Sequence, residues 1–245
     1  MPRFKCLVSY DGSGFSGYQV QPDKRTVQGE IEKALSKIHK GSFERITGSG
    51  RTDSGVHAMG QVFHFDSNLN ISEKKWPTVL NSLLSSDISI LSAEEVGLDF
   101  HARFSVKKKE YRYKIHLQTV RNPFTRHQAF HYPYPLNVED MRKASLAFIG
   151  EHDFTSFCSS KTDVEDKIRT IYSISLNVDE ENLIISYEGN GFLYNMVRII
   201  TGTLLEVGRG KITPENVTEI LKAKDRTKAG KTAPPEGLYL WKVTY

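Results

Sequence analysis

The sequence predicts an α+β fold made of two small lobes. Three observations predict it: strands of alternating polarity and amphipathic helices follow one another in both halves, each half has two principal helices, and no Gly/Ser-rich or Pro-rich linker separates the halves. We place the lobes at residues 1–105 and 106–245, joined near 103–109. With 245 residues, 38% of them hydrophobic, the chain is long enough to bury cores of this size.

The N-terminal lobe begins with a strand at residues 4–10, where Phe4, Cys6 and Val8 share one face. Apolar residues at helical spacing then predict a helix from about Thr26 to Lys40. The remaining elements of this lobe are a strand at 60–66, a short helix at 76–84 and a strand at 87–96.

The C-terminal lobe opens with KEYRYKIHL, in which Tyr111, Tyr113 and Ile115 alternate with charged residues and predict one buried strand face. Asn137 is the predicted N-cap of a helix that stops at Gly150. The later elements are a strand at 168–178 with its even-numbered residues on one face, its hairpin partner NLIISYE, an apolar helix at 191–207, a helix with Thr213 as N-cap and Pro214 at its first position, and a last strand at 237–245.

Composition limits the class of protein without identifying it. No apolar run reaches the roughly 18 to 20 residues of a membrane span, and no signal peptide is visible, so we expect a cytoplasmic protein with no membrane partner. Cys6 and Cys158 form no CxxC pair, which argues against a disulfide framework or a zinc ribbon. The net charge of +4 is compatible with RNA binding but does not establish it.

The stretch GSGRTDSGVHA places Asp53 among glycines. Its DSG triplet also occurs in aspartic proteases, but those enzymes need two carboxylates sharing a proton, and this chain has no second DSG or DTG. GSGFSG at 12–17 matches the GxGxxG of dinucleotide sites, yet Pro22 delays the helix that should follow at once. We therefore interpret 12–17 as a flexible loop able to approach a bulky partner.

A metal site could be assembled only from His57, His64 and Asp66. Their spacing does not match known zinc sites, so structural hydrogen bonding is the favoured interpretation of both histidines, and we expect no metal.

Two residues of the second lobe stand out. Arg198 is the one charged residue between Phe192 and Leu205, so a buried helix would require an acidic partner for it, unless its side chain reaches solvent. Tyr111 starts the apolar face of its strand near the join of the lobes, a place equally suited to a core residue and to a functional one.

These stretches together resemble the TruA family of tRNA pseudouridine synthases. GRTDSGVHA (50–58) is similar to the family's GRTDxGVHA box, and YDGSGFSGYQVQP to its N-terminal loop. KKEYRYKI, DFTSFC, GNGFLYNMVRIITGTLLEVG and TAPPEGLYL match in the same order, so the resemblance covers nearly the whole chain. Tyr18 stands where the family usually has Trp, and Ser49 where it usually has Ala, which could change how the N-terminal loop meets RNA.

The resemblance implies isomerisation of uridine to pseudouridine in the tRNA anticodon stem-loop, just 3′ of the anticodon. It implies no cofactor, no metal and no DNA partner, and a homodimer in which one tRNA touches both subunits. It also implies that the lobes are RRM-like, or ferredoxin-like, and form one extended antiparallel sheet with a central active-site cleft.

The resemblance also implies a role for each site residue. Asp53 would be the catalytic nucleophile, Arg198 its cationic partner, Tyr111 the ring against the target base, and Arg51 a clamp on the flipped nucleotide. Whether Asp53 attacks C6, attacks C1′ or removes a 2′ proton stays open. A non-catalytic tRNA-binding or chaperone protein on the same fold is the alternative.

Overall fold

The computed structural model describes residues 1–41, 45–162 and 164–245. Strands and helices alternate along this part of the chain. In chain order they are β1 (Arg3–Tyr10), α1 (Val27–Ile38), β2 (Thr47–Gly48), β3 (His57–Asp66), α2 (Trp76–Asn81), β4 (Ile88–Val96), β5 (Lys108–His116), β6 (Phe130–His131), α3 (Val138–Ser145), β7 (Gly150–Asp153), β8 (Ile168–Val178), β9 (Asn182–Gly189), α4 (Met196–Gly208), α5 (Pro214–Ala223) and β10 (Leu238–Thr244).

These elements form two compact units. Unit 1 comprises Met1–Lys107 and Tyr239–Tyr245, and unit 2 comprises Lys108–Leu238. The last seven residues, which the sequence analysis placed in the C-terminal lobe, thus belong to unit 1. The cause is a parallel pairing of β10 with β3, in which Leu240 lies opposite Ala58. Such a long-range pairing leaves no local signature in the sequence.

Unit 1 is built on strands in the order β4-β1-β3-β10, with β2 also paired to β3. Apart from the β3/β10 pair, these pairings are antiparallel. The predicted face of β1 is buried, and Trp76 of α2 packs edge-on against Phe65, at 4.9 Å between ring centroids, and against Phe4 at 5.5 Å. Thr26 caps α1 by accepting a hydrogen bond from Gly29 N. The core of unit 1 therefore lies between one sheet face and its helices.

Unit 2 is built on strands in the order β5-β9-β8-β7, antiparallel throughout, with β6 parallel to β5. Almost every residue of α4 is buried, and Tyr187 of β9 is hydrogen-bonded to Thr201 of α4 at 2.8 Å between the hydroxyls. Asn137 and Thr213 cap α3 and α5 as predicted. The α+β fold class is confirmed, and none of the described helices is long and apolar enough to cross a membrane.

Three predicted elements differ from the structure. The register of β8 against β9 shifts between Ile171 and Ser173, so Ile171 is buried while Tyr172, predicted to face inward, is exposed. A β-bulge of this kind moves the following side chains to the other face. α3 also ends at Ser145, where a 3₁₀ turn precedes Gly150. The burial of α4 is as predicted, although it begins five residues later than expected.

Candidate active site

The loop of residues 49–56, here called the aspartate loop, connects β2 to β3 and carries Asp53. Its first part is held by Gln61 of β3, whose side chain accepts from the Ser49 hydroxyl and donates to Gly50 O at 3.0 Å. Its second part is a turn in which Val56 N donates to Asp53 O at 3.1 Å and Gly55 has φ +78°. A turn with positive φ at this position favours glycine, which explains the glycine of the DSG triplet.

The residues 11–18, here called the N-terminal loop, pack directly against the aspartate loop. Tyr18 N donates to Thr52 O at 3.1 Å, and the Ser54 hydroxyl donates to Phe15 O at 3.1 Å. These bonds tie the residues on both sides of Asp53 to one neighbouring segment. The backbone that carries the carboxylate is therefore fixed within unit 1.

The two glycines at the ends of GSGFSG make this packing possible. A Cβ on Gly12 would lie 2.0 Å from Val56 O, and Gly17 has φ +93° with Thr52 O 2.9 Å from its Cβ position. A side chain at Gly12 is therefore excluded, and one at Gly17 would also be strained. The two ends of the motif therefore pack against the aspartate loop, while Ser13 and Gly14 between them are exposed.

Tyr18 is 3% exposed, and its ring fills the space where Gly48 would otherwise carry a Cβ. Ser49 is buried as well. The two departures from the family pattern therefore lie inside unit 1, with Ser49 at the buried start of the aspartate loop and Tyr18 on the segment packed against it, and not on a surface that could meet RNA. Any effect of these residues on RNA must act through the position of that loop.

Exposure differs between the residues around the turn. Asp53 is half-buried, whereas Arg51 and Ser54 are exposed. A half-buried carboxylate can be reached by a ligand on its exposed side, while the protein excludes water from its buried side. Arg51 remains predicted to bind the nucleotide, since its exposed guanidinium has the charge and geometry for a phosphate.

The residues considered as metal ligands have other partners. The backbone N–H of Gly12 donates to His57 Nδ1 at 3.0 Å, and that of Ala102 donates to His64 Nδ1 at 3.1 Å. Asp66 accepts from Arg3 at 2.7 and 2.9 Å. Within the described residues, no group of three His, Cys, Asp or Glu side chains is placed to hold a metal ion.

Asp11 also lies close to His57, with 3.2 Å between Oδ1 and Nδ1. Because Nδ1 accepts the proton of Gly12 N–H, it cannot donate to Asp11 at the same time. We therefore assign the backbone hydrogen bond to His57 Nδ1, and the ring also stacks on Tyr239 at 4.6 Å between centroids. The structure gives His57 a structural place, as the sequence analysis favoured.

In unit 2, Tyr111 lies on β5 and is 9% exposed. Its ring meets that of Phe192 edge-to-face, at 5.1 Å between centroids and 80° between planes. On β9 its antiparallel partner is Tyr187. The ring orientation of Tyr111 is thus fixed by an aromatic neighbour, as a stacking platform requires.

Arg198 lies in the first turn of α4 and is half-buried. Its Nε donates to Ala233 O at 2.7 Å and its Nη1 donates to Asn195 Oδ1 at 2.9 Å. Asn195 has φ +61°, a conformation that asparagine tolerates better than most residues, and because this conformation is not helical, α4 begins at Met196. The predicted helix start at 191 is wrong for this reason.

A second contact positions α4 against the segment that follows α5. A Cβ on Gly202 would lie 1.7 Å from Lys231 O, and one on Gly230 would lie 2.7 Å from Thr203 Cα. Ala233 N donates in turn to Arg198 O at 3.0 Å. The depth at which Arg198 lies thus depends on two glycines, Gly202 and Gly230.

Sequence reasoning missed the residues that support the site. Thr52 is hydrogen-bonded through its hydroxyl to Tyr10 at 2.8 Å, and Asn195 and Ala233 hold Arg198. Within unit 2, burial raises the pKa of Tyr113 well above its usual value, Glu236 raises it further, and the nearby Arg198 guanidinium lowers it.

The four predicted site residues are divided equally, with Arg51 and Asp53 in unit 1 and Tyr111 and Arg198 in unit 2.

Known proteins resemble this chain over its full length. The model of a family described as "tRNA pseudouridine synthase" matches residues 7–105 and 144–245. A protein of Listeria monocytogenes serotype 4b named "tRNA pseudouridine synthase A" is 58% identical over 247 residues, covering 100% of both chains. The protein of that name from Geobacillus sp. (strain WCH70) is 56% identical and covers 99% of this chain and 98% of its own.

A relative from Anoxybacillus flavithermus with the same name is 57% identical and covers 100% of this chain and 99% of its own. Among solved structures, a chain of the archaeal box H/ACA sRNP Nop10-Cbf5 complex is 14% identical, with a TM-score of 0.38 over 83% of this chain and 43% of that chain. The likeness to that structure is distant and contributes nothing to the assignment of the site.

Proposed function

Since the chain belongs to the tRNA pseudouridine synthase family, we propose that Asp53 is the carboxylate with which it isomerises uridine to pseudouridine in tRNA. The observation that carries this assignment is the aspartate loop itself. A half-buried aspartate is presented on a turn whose backbone is hydrogen-bonded on both sides. Preorganised side chains of this kind are what a reaction without a diffusing nucleophile needs.

The reaction breaks the bond between uracil N1 and ribose C1′ and forms a bond between C5 and C1′. The hydrogen on C5 leaves to solvent and N1 gains one, so atoms balance with no oxidant, reductant or cofactor. Attack at C6, attack at C1′ and removal of a 2′ proton all need an ionised carboxylate. We propose that Arg198 keeps Asp53 ionised, since an opposite charge within about 4 to 6 Å lowers a carboxyl pKa.

The target uridine lies in the anticodon stem-loop, just 3′ of the anticodon, and must leave its stack to react. Unstacking costs a few kcal/mol, and stacking on an aromatic ring recovers about 1 to 3 kcal/mol. We assign the stacking role to Tyr111, whose ring is fixed by Phe192. We assign the backbone of the flipped nucleotide to Arg51, which is exposed beside Asp53.

Release of tritium from tRNA containing 5-tritiated uridine tests the proposal. Wild-type protein should release tritium, and Asp53→Asn should release none while its Kd for tRNA stays within about threefold. Asp23→Asn is the matched control, because Asp23 is exposed in the same unit and has φ +56°, which Asn tolerates as well as Asp. Turnover by Asp53→Asn would refute the assignment, and tRNA binding without tritium release by the wild type would indicate a binding or chaperone protein.

The same proposal includes a cytoplasmic homodimer in which one tRNA touches both subunits. Light scattering on the free protein and on its tRNA complex tests the subunit count. A monomer that turns over at the wild-type rate per chain would remove the second subunit from the proposal and leave the role of Asp53 intact.

A further inference from the structure

The connection between β5 and β6, residues 117–129, is the most exposed aromatic feature of unit 2. Phe124 at its tip is 87% exposed, and Val120 is 76% exposed. The family model matches residues 7–105 and 144–245, so this loop, like Tyr111, lies in the unmatched segment between them. The roles assigned above to the four site residues leave it without a function.

The loop has an ordered tip. Phe124 N donates to Asn122 Oδ1 at 2.9 Å, Gln128 N donates to Thr125 O at 2.8 Å, and Arg126 Nη1 donates to Pro123 O at 2.7 Å. Successive turns closed by these bonds hold the phenyl ring away from the body of unit 2. Because this side chain is already ordered in the free protein, its conformational entropy falls little further when a ligand binds over it.

The charged side chains of the chain segment that carries the ring have one sign, although the backbone carbonyls of Glu180 and Glu181 accept from Gln118 and Leu117 at the base of the loop. Residues 111–138 contain no Asp or Glu, and their cations are Arg112, Lys114, Arg121 and Arg126. Arg121 and Arg126 flank Phe124 and are exposed. In the described part of the chain neither of these two arginines has a carboxylate partner. Another cation–aromatic pair occurs in this unit, where the Arg209 guanidinium lies 4.9 Å from the centroid of the Tyr134 ring.

From these observations we infer that residues 120–127 form a second RNA-docking element, in which Phe124 stacks on an unpaired base and Arg121 and Arg126 contact phosphates. Proteins that bind single-stranded RNA use this pattern, in which an exposed aromatic ring stacks on a base and cations beside it contact the phosphates. A second copy of this chain fits less well, since two such loops meeting at a twofold axis would bring four arginines together with no acid. This inference rests on the proposed function for the identity of the RNA as tRNA.

The loop follows the C-terminal end of β5, whereas Tyr111, the proposed stacking platform for the target base, lies near the start of that strand. Tyr111 and His116 lie on one strand, where each residue advances about 3.3 Å, so the loop starts roughly 17 Å beyond the stacking platform. The loop therefore acts on binding of the RNA and not on the reaction at the target uridine. Loss of the loop contacts should raise KM and leave kcat at saturating tRNA unchanged.

The test compares Phe124→Ala and Arg121→Gln with two matched controls in the same unit. Leu146→Ala removes an apolar side chain that is 65% exposed, and Arg142→Gln removes one charge from a surface ion pair with Glu139. Kd for an unmodified tRNA transcript is measured over a range of salt. Phe124→Ala should weaken Kd about 5- to 150-fold, and Arg121→Gln should make the log Kd against log salt plot shallower by about one.

Three outcomes decide the matter. Loss of affinity confined to the two loop variants, with kcat retained, supports the inference. Equal Kd values for loop variants, controls and wild type overturn it, and so does a change in oligomeric state of the loop variants at constant tRNA affinity per chain, which would make the loop a protein interface. Absence of tritium release from wild-type protein would instead refute the proposed function, without altering the reading of the Kd values.

Discussion

The hydroxyl of Tyr10 on β1 lies 2.8 Å from the hydroxyl of Thr52, so the residue directly before Asp53 is hydrogen-bonded in the interior of unit 1. Tyr10→Phe removes that partner and leaves a buried hydroxyl on Thr52. We expect the free energy of unfolding to fall by about 1 to 3 kcal/mol and turnover to fall with it. Urea unfolding and tritium release measure both effects, and a variant as stable and as active as wild type would contradict this role.

Tyr18, on the N-terminal loop, provides the opposite case. Its hydroxyl is buried and has no hydrogen-bond partner among the described residues. Tyr18→Phe therefore removes an unsatisfied polar atom and should leave the protein as stable as wild type or up to about 1 kcal/mol more stable. The same unfolding experiment serves, with Tyr10→Phe as the comparison. A loss of stability as large as that of Tyr10→Phe would mean that a bound water satisfies this hydroxyl.

The sequence predicted those parts of the fold whose causes are local. Asn137 and Thr213 were predicted as N-caps because each side-chain oxygen can accept from a backbone N–H two or three residues ahead, and the structure contains these hydrogen bonds. The buried face of β5 follows from strict alternation in KEYRYKIHL. The GRTDSGVHA stretch was also recognisable as a motif of the family. Its turn requires a positive φ at Gly55, so glycine is expected at that position in any chain that forms the turn.

Features set by distant residues were not predictable in the same way. The pairing of β10 with β3 depends on a partner far along the chain, and the bulge near Ile171 depends on how β8 meets β9. The start of α4 was placed too early because the apolar pattern continues on both sides of Asn195. The pattern of apolar residues gives no information on the backbone angle φ, which is positive at Asn195. The packing of GSGFSG against the aspartate loop was not predicted, because the close approach of Val56 O to Gly12 is a contact between two loops that are distant in sequence.

Asn195 is predicted to position Arg198, the proposed partner of Asp53. Asn195→Gly keeps the positive φ but removes the oxygen that accepts from Arg198 Nη1. We expect kcat to fall while KM and the free energy of unfolding change little, since glycine adopts this conformation readily. Asn195→Ala should lose in addition about 1 kcal/mol of stability from strain at φ +61°. Unchanged kcat in Asn195→Gly would show that Ala233 O alone holds the guanidinium.

Gly202 is predicted to be the least replaceable glycine of unit 2. Gly202→Ala would place a Cβ 1.7 Å from Lys231 O, which forces α4 away from the segment that also holds Arg198. We expect a loss of more than about 3 kcal/mol in unfolding free energy. Gly191→Ala is the control, because its Cβ would meet only the Arg169 side chain, at an ordinary 3.8 Å. Similar melting temperatures for the two variants would contradict the close packing.

The stability of unit 1 should depend on pH through His64. Burial, above all, and the neighbouring Arg3 and His101 lower the pKa of His64 from 6.5 to about 4, in agreement with an Nδ1 that accepts from Ala102 N. Between these values the unfolded chain binds a proton that the folded chain does not. The contribution of His64 is therefore complete above pH 6.5 and is lost as the pH falls towards 4, at about 1.4 kcal/mol per pH unit.

His64→Asn tests this dependence, because the Asn side-chain oxygen can accept from Ala102 N but does not titrate. Asp66 does not confuse the comparison, since its hydrogen bond to Arg3 holds the pKa of that carboxyl below its usual value. At neutral pH the variant should be less stable than wild type, and the gap should narrow as the pH falls from 6.5 to 4. Urea unfolding at intervals across this range measures the gap. A constant difference between the two proteins would mean that His64 is protonated equally in the folded and unfolded chains, and the neutral, hydrogen-bonded ring assigned to it would then be wrong.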